Sequence, residues 1–429
     1  EGCWFIFSRY SYAIWKNGYL CPGVTRVLWK TAGSTALFRI YCSFQDMHIA
    51  FKGSYARSRT MLEDQMSCTG AKFKCHTTRE IAAYYAECLI QDVTLVVDIL
   101  TDCVFNNAFL ETEIQNQKKV VYLEMLEHDK CANGLLDDYL HATAFQGTPL
   151  AKSVMGPSSN LYNYNKCTIP TFMNRFYDAN RTVLVAVGGV KHDQMVALAQ
   201  QYLSKLEPTK CIDHDVYRFT GSDVRYRNDS MPAANCAIAV EGPALCDDDN
   251  VIMEVAANVI GGWDRSQPGG VDHGFPVARW SSVNSYCDAY KSFNINYKDT
   301  GLWGVQFLGP SKKLDDLVSE VQAEWMGLCF TVTETDVERG RRLLKTKLLS
   351  RNENMTATCH DIGKWVIYQG FMPPLHERVC AVDRVRAVDV HRACYQYLYD
   401  KCPAVAGVGP TEGLTDYVRI RANMYWLRV

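Results

Sequence analysis

Residues 44–53 read FQDMHIAFKG, and this stretch decides which fold the chain is expected to adopt. On a helix, Phe44, Met47, His48 and Phe51 fall at i, i+3, i+4 and i+7 and therefore share one face. A helical zinc site uses such a face for two histidine ligands four residues apart, with a glutamate before the second histidine to activate the metal-bound water. Here Phe44 stands at the first ligand position and Met47 at the position of the base. The stretch has the spacing of a helical two-histidine zinc site without its chemistry.

A second candidate position lies on a helix predicted over about residues 110–128. Ile114, Val121 and Met125 form an apolar stripe on this helix, and Glu124 points to the same side. A carboxylate there is costly unless it is paired or bound to a metal. Two interpretations are open: a partly buried glutamate paired with His48 or a lysine, or a metal ligand. The first is the simpler expectation.

His48 and Glu124 together do not make a catalytic metal site. Catalytic zinc normally has three protein ligands and a water, and the loss of a general base alone costs roughly 100- to 10,000-fold in rate. The sequence therefore predicts no catalytic residue and no bound metal at Phe44, Met47, His48 and Glu124, the four positions of a degenerate zinc motif. No haem or iron–sulfur motif is present either, so no cofactor is expected.

The bulk composition bounds the class of protein. The chain has 429 residues, of which 48% are hydrophobic and 21% are charged, as in a well-buried globular protein of about two domains. Its 45 basic and 47 acidic residues leave a formal charge of −2, which favours neither nucleic acid nor an anionic membrane as a partner. The longest apolar runs are far shorter than the roughly 18 residues a spanning helix needs. We expect no membrane crossing.

Cysteine usage and the start of the chain add two further expectations. The 18 cysteines are scattered singly, without CxxC pairs, so we expect mostly reduced, buried thiols. The first ten residues, EGCWFIFSRY, contain no basic segment and no cleavage site. No targeting signal is visible, and a removed presequence stays possible.

Three local matches recur along the chain at nearly one offset. Thr112-Glu113-Ile114 corresponds to Thr335-Asp336-Val337 at an offset of 223, and Phe145-Gln146-Gly147 corresponds to Tyr368-Gln369-Gly370 at the same offset. FYDANRTVLVAVGG, from Phe176, corresponds to LYDKCPAVAGVGP, from Leu398, at an offset of 222. Three ordered matches at constant spacing predict an internal duplication of about 210 to 220 residues.

The fold class follows from how elements alternate within each half. Strand-like runs, among them residues 183–187 and 236–242, alternate with longer helical patterns. We therefore predict an α/β (α+β) chain of two homologous sandwich domains, each a mixed sheet covered by helices. The join is expected near residues 207–210, because a proline follows an amphipathic helical run there. The predicted domains are residues 1–208 and 209–429.

With these residues in view, the chain resembles the pitrilysin-like zinc peptidases. FQDMHIAFKGS is similar to their inverted motif HxxEH followed by AFKGT, as found in the beta subunit of mitochondrial processing peptidase, and Glu124 lies 76 residues after His48, where the third zinc ligand of that family stands. The resemblance is strongest to the non-catalytic core proteins of the mitochondrial cytochrome bc1 complex, respiratory complex III. It is carried by YLHATAFQGTPLAKSV at 139–154, AIAVEGP at 237–243, FNINYKDTGLWG at 293–304, CPAVAGVGP at 402–410 and the final MYWLRV.

The resemblance implies a structural role and a set of partners. It implies a matrix-side subunit, peripheral to the mitochondrial inner membrane, that pairs with core protein 2 and supports cytochrome b, cytochrome c1 and the Rieske subunit. The alternative it leaves is an active presequence-cleaving zinc endopeptidase of the processing-peptidase beta type. That alternative needs a third ligand and a new base, for which His76 or Glu127 could be considered.

Several positions depart from the pattern of the active peptidases. Lys74 and His76 stand where processing peptidases have asparagine and tyrosine on a substrate-binding edge strand, and Gln117 stands where a second glutamate is usual. Residues 266–276, SQPGGVDHGFP, are only loosely similar to the glycine-rich loop of the alpha-type partner. Gly269 and Gly270 are expected to form a turn. Peptide binding is not expected from these features.

Overall fold

The protein is represented by a computed structural model that describes residues 2–8, 24–25, 48–177, 181–204, 206 and 217–426. The strands are β1 Gly2–Ser8, β2 Val24–Thr25, β3 Lys72–Thr77, β4 Ala82–Cys88, β5 Thr182–Val187, β6 Asp223–Arg227, β7 Ala234–Gly242, β8 Gly262–Asp264, β9 Ala289–Asn296, β10 Gly301–Gly309 and β11 Ala404–Gly409. The helices are α1 Arg59–Thr69, α2 Val93–Phe105, α3 Glu111–His128, α4 Ala132–Ala144, α5 Thr168–Phe176, α6 His192–Leu203, α7 Asp249–Ile260, α8 Pro276–Asn284, α9 Leu314–Phe330, α10 Glu334–Glu353, α11 Met355–Gln369, α12 Leu375–Arg384, α13 Ala387–Tyr397 and α14 Tyr417–Ala422.

The chain divides into two compact units. Unit 1 consists of Glu1–Glu127, Lys152–Val216 and Leu349–Pro374, and unit 2 consists of His128–Ala151, Tyr217–Leu348 and Leu375–Val429. Helix α4 therefore belongs to unit 2 and helix α11 to unit 1, although the predicted division by chain order would place each in the other half. The predicted join at residues 207–210 lies outside the described residues, and the division into 1–208 and 209–429 stays a prediction.

Unit 1 is built on a sheet with the strand order β2-β5-β1-β4-β3, in which β3 is an edge. One face packs against α2, α5 and α6 through buried side chains such as Tyr84 and Leu184. Helix α2 reads VTLVVDILTDCVF and is buried almost along its full length, which explains its nearly continuous apolar character. Helix α11 packs on β1 and β5.

Unit 2 is built on a sheet with the order β6-β11-β7-β10-β9-β8. Alternate residues of β7 and β10 enter two cores, as strand geometry requires. Trp303 and Trp325 lie at the centre of the larger core, with ring centroids 5.4 Å apart. The smaller core holds Leu136 and Leu140 of α4 against alanines of β7 and β11. Helices therefore cover both faces of this sheet.

The predicted α/β class and the predicted strands are confirmed, since β5 and β7 contain the runs expected at 183–187 and 236–242. The prediction of a mixed sheet in each half is correct for unit 2, where β6 and β11 are parallel. In unit 1 all described strand pairs are antiparallel: β1 pairs with β4 and β5, β2 pairs with β5, and β3 pairs with β4.

Matching positions of the predicted repeat have matching structural roles. Ile114 and Val337 are both fully buried, each within the first turn or so of its helix, α3 or α10. Gly147 and Gly370 both have positive φ: Gly370 ends α11 as a left-handed cap, and Gly147 lies three residues after the end of α4. The repeated sequence matches thus correspond to repeated elements.

Two other expectations concern cysteines and membranes. All cysteines whose side chains are described are free thiols, as expected, but half of them are exposed, so the expectation of burial holds only for the other half. Across the described part of the chain, no helix has both the length and the apolar character needed to span a bilayer.

Candidate functional site

The structure brings His48 and Glu124 together in unit 1. His48 belongs to the helical residues 48–50, and its Nε2 lies 3.1 Å from Glu124 Oε2. The His48 side chain is 18% exposed and that of Glu124 is 40% exposed. Phe44 and Met47, the other two positions of the motif, lie outside the described residues. The geometry therefore shows the expected pairing of a partly buried glutamate with His48.

Glu124 reaches His48 because of how α3 is oriented. Ile114, Val121 and Met125 are the buried residues of this helix, and Glu124 precedes Met125 at the edge of the same stripe. The outer face of α3 is also apolar, with Val120 and Leu123 exposed. The helix is thus apolar on two sides, and only the inner side carries the site.

Backbone anchoring fixes the end of the His48 helix. Asn107 Nδ2 donates to the carbonyl oxygens of Ile49, at 2.9 Å, and Ala50, at 3.0 Å. The next residues are held by a bridge between Ser54 and Asn107. Asn107 is buried, so these bonds satisfy helix-end carbonyls that would otherwise lack partners.

A buried ionic network supports the loop that follows. Arg57 Nη1 donates to Asp102 Oδ2 at 2.6 Å, and its Nη2 donates to Asp98. Ser54 Oγ donates to the same Asp102 oxygen at 2.5 Å. The Arg57 and Asp102 side chains are only 13% and 8% exposed. The sequence interpretation missed this network, although two aspartates four residues apart within the apolar run of α2 were a usable signal.

The electrostatics of the site follow from burial. Burial lowers the pKa of His48 below its usual range, against the opposing effect of the Glu124 carboxylate, and the charge of Lys52 lowers it further. Desolvation, followed by the charge of Glu124, raises the pKa of the Cys75 thiol to about 11. A neutral imidazole and a protonated thiol therefore lie near the carboxylate.

The donor set does not fit a catalytic metal. Within the described ranges, no group of three His, Cys, Asp or Glu side chains is placed to hold an ion. His76, considered as a third ligand, lies on β3 with its ring centroid 6.2 Å from that of His360. Glu127 is exposed on α3. Neither joins His48 and Glu124, and two ligands are fewer than catalytic zinc requires.

The remaining predicted positions are spread over the surface. Lys74 is exposed on β3, and Gln117 is half-buried on α3. Gly269 and Gly270 have φ of 108° and 48°, which fits the predicted turn. In the same segment, His273 accepts a 3.3 Å hydrogen bond from the backbone N–H of Phe275.

Comparison with known proteins places these features in a family. A family profile described as Insulinase (Peptidase family M16) matches residues 46–158, and one described as Peptidase M16 inactive domain matches residues 168–344. The chain is 41% identical over 387 residues to the mouse protein named cytochrome b-c1 complex subunit 1, mitochondrial, covering 89% of this chain and 80% of the relative. It is 37% identical over 392 residues to the human mitochondrial-processing peptidase subunit beta, covering 89% and 78%.

A solved structure shows the same fold. It is a chain of Complex III2 from Candida albicans with Inz-5 bound, with a TM-score of 0.84 at 20% identity, covering 99% of this chain and 94% of that one. At this identity the likeness concerns the fold alone.

Proposed function

The chain belongs to the M16 peptidase family, and from this premise we propose that it works as a structural core subunit, subunit 1, of the mitochondrial cytochrome bc1 complex without peptidase activity. The observation that carries the proposal is the 41% identity to a complex III core subunit over 89% of the chain. The motif positions agree with it, because His48 keeps Glu124 as a partner at 3.1 Å while the other ligand and the base are replaced.

The absence of a general base supports the same role. Met47 replaces the glutamate that would activate water, and Phe44 replaces the first histidine. Neither side chain can coordinate zinc in the manner of the residue it replaces, and each is apolar. With both functions missing, we propose that the chain has kept the fold of its family as a scaffold.

The proposed partners are core protein 2, cytochrome b, cytochrome c1 and the Rieske subunit, with the chain on the matrix side of the inner membrane. The names of its relatives at about 40% identity support membership of complex III. Exposed apolar side chains on the outer face of α3, among them Val120, Leu123 and Leu126, are the kind of surface that subunit contacts cover.

The second candidate is a processing peptidase of the beta type. The 37% identity to the human beta subunit favours it over unrelated enzymes. This role would require a third metal ligand near His48 and Glu124 and a new base. The positions of His76 and Glu127 supply neither, so we place the structural role first.

The test is metal content and composition of the native assembly. The protein would be purified in its complex, treated with a mild chelator and measured by elemental analysis together with haem spectra. We expect fewer than about 0.1 zinc per chain, because two ligands do not retain the ion, and cytochromes that elute with the chain. One tightly held zinc per chain would overturn the inactive site, and elution without cytochromes would overturn the role in the complex.

A further inference from the structure

The repeat places a lysine in unit 2 at the position that Glu124 holds in unit 1. The offset of 223 residues pairs Glu124 with Lys347. The same offset pairs Val121 with Leu344, and both are buried at 1% exposure. Helices α3 and α10 are therefore in register around this position, and the sign of the charge is reversed.

Lys347 makes a contact that parallels the His48–Glu124 pair. Its Nζ donates a hydrogen bond to Asn258 Oδ1. Asn258 stands two residues before the end of α7, as His48 stands two residues before the end of the helical residues 48–50. Each unit thus pairs a side chain from the end of one helix with a side chain from the matching long helix.

In unit 2 this pair borders an open cavity of about 700 Å³. The cavity is lined by the end of α7, by parts of β8, β9 and β10, and by Leu343 and Lys347 of α10. Its walls are tied together, since Tyr290 Oη donates to Ile260 O at 3.1 Å and Ser292 Oγ donates to Gly261 O at 2.6 Å. The cavity is therefore a fixed feature of the unit and not a gap between loose loops.

Three charged side chains line the cavity: Lys291, Lys347 and Asp264. Asp264 is already engaged, because it accepts a 2.8 Å hydrogen bond from Ser266 N and a bond from Ser266 Oγ. The two lysines are exposed at the surface of the cavity. Desolvation lowers the pKa of Lys347, and the like charge of Lys291 lowers it further, while Glu254 opposes both. Both lysines line the same cavity, so an anion between them would lessen the repulsion between their like charges.

The rest of the lining sets the size and charge of a fitting ligand. The lining side chains alone, two ammonium groups and one carboxylate, sum to +1. Glu254, outside the lining, partly offsets the charge of Lys347, so a monoanion matches the site better than a phosphate dianion. Phe275, Phe307 and Leu343 supply apolar wall, and Gln306 supplies an amide. Pockets that bind small molecules combine such apolar walls with a few polar groups that fix orientation.

We propose that this cavity binds a small organic monocarboxylate with an apolar body, whose carboxylate lies between Lys347 and Lys291. The site would be independent of the inactive zinc position in unit 1 and of the role in complex III. Charge-assisted hydrogen bonds to the two ammonium groups would fix the carboxylate, and the apolar body would lie against the aromatic side chains.

The experiment is isothermal titration calorimetry on the full chain at pH 7 and low salt, with 3-phenylpropionate as the probe and its neutral amide as the matched ligand control. We expect one site per chain for the acid, and binding at least about fivefold weaker for the amide, because the amide lacks the charge that the lysines recognise. Lys347→Gln and Lys291→Gln should each weaken binding of the acid by a similar factor. Lys312→Gln, at an exposed lysine away from the cavity, should leave binding unchanged.

The outcomes separate clearly. The proposal would be overturned if acid and amide bound equally, or if the Lys347→Gln and Lys312→Gln variants bound the acid equally. It would also be overturned if the acid did not bind at about 10 mM, since an affinity weaker than millimolar corresponds to almost no specific interaction. Circular dichroism would check folding of each variant. Should Lys347→Gln not fold, the exposed Lys291→Gln carries the test.

Discussion

His48 Nε2 and Glu124 Oε2 lie 3.1 Å apart, and this bond joins two residues that a zinc peptidase would direct at its metal. Burial keeps the pKa of His48 low, so at ordinary pH the neutral ring donates a hydrogen bond from Nε2–H to the carboxylate. The pair is only partly buried. It therefore resembles a polar contact at the surface more than a buried ion pair, and its contribution to the free energy of unfolding should be small.

The first prediction concerns the contribution of this pair to stability. Glu124→Gln keeps the size of the side chain and an acceptor for His48, and the residue is 40% exposed. We expect the free energy of unfolding to change by less than about 1 kcal/mol, as for other partly exposed pairs. Urea unfolding at pH 7 measures it. A loss above about 3 kcal/mol would indicate a buried, essential charge.

The second prediction concerns Arg57 and Asp102. Asp102→Ala would leave the buried guanidinium with one aspartate fewer and would remove the acceptor of Ser54 Oγ. We expect a loss of about 2 to 3 kcal/mol in the free energy of unfolding, because Arg57 Nη1 and Ser54 Oγ would lose their acceptor in a largely buried position, although Asp98 would still balance the charge. Glu63→Ala, which breaks an exposed pair with Arg59, is the control and should change stability little. Similar effects of the two substitutions would contradict the structural role of the network.

The third prediction concerns pH. Desolvation and the charges of His76 and Arg351 lower the pKa of His360 to about 4. The unfolded chain, with an ordinary histidine pKa near 6.5, therefore binds this proton first as the pH falls. The stability that neutral His360 contributes is fully present above about pH 6.5 and is lost as the pH falls toward 4, at up to about 1.4 kcal/mol per pH unit.

His360→Phe should remove that part of the pH dependence while keeping a ring beside Tyr85. The measurement is the urea midpoint between pH 7.5 and 5 for the variant and the unaltered chain. The control is His376→Gln, at an exposed histidine on α12. An unchanged slope in His360→Phe would rule out His360 as the titrating group.

The parts of the fold that depend on local patterns could be predicted from the sequence. Strand β5 is a continuous, mostly β-branched run, and the position of Glu124 beside Val121 and Met125 on helix α3 indicated a partner for its carboxylate. The repeat offset also placed α10 in register with α3. These features depend on residues close in sequence or on one constant spacing.

Other features depend on which surfaces meet, and the sequence does not encode that locally. The apolar face of α4 predicts burial, but nothing in Leu136 or Leu140 specifies the sheet of unit 2 as its partner. Asn258 and Lys347 form a hydrogen bond, although from the sequence each would be expected to be exposed to solvent. Such pairings emerge only when separate elements pack.

The fourth prediction contrasts two glycines of unit 2. A Cβ on Gly304 would lie 2.2 Å from Ile238 O and 2.8 Å from Ala239 Cα, both backbone atoms of the neighbouring strand. Gly304→Ala should therefore lower the free energy of unfolding by about 2 kcal/mol or more, because the strands cannot separate without losing packing. Thermal unfolding measures it.

Gly327→Ala is the matched control, since it lies within α9 and its Cβ would meet nothing closer than Thr331 Oγ1 at 3.5 Å. We expect a gain of about 0.5 to 1 kcal/mol from the higher helix propensity of alanine. A neutral Gly304→Ala would show that β7 and β10 can move apart at little cost.

The fifth prediction restores the inferred metal site. Phe44→His with Met47→Glu would supply the missing ligand and base beside His48 and Glu124. If the helix presents residue 44 on the face of His48, three protein ligands converge and the double variant should bind about one zinc per chain, against fewer than about 0.1 for the unaltered chain. Adding Glu124→Gln to the double variant should abolish this uptake, because it removes the third ligand while preserving shape. Zinc uptake that persists with Glu124→Gln would show that the metal binds elsewhere. No uptake by the double variant would show that the surrounding side chains have repacked into the space that the ion needs.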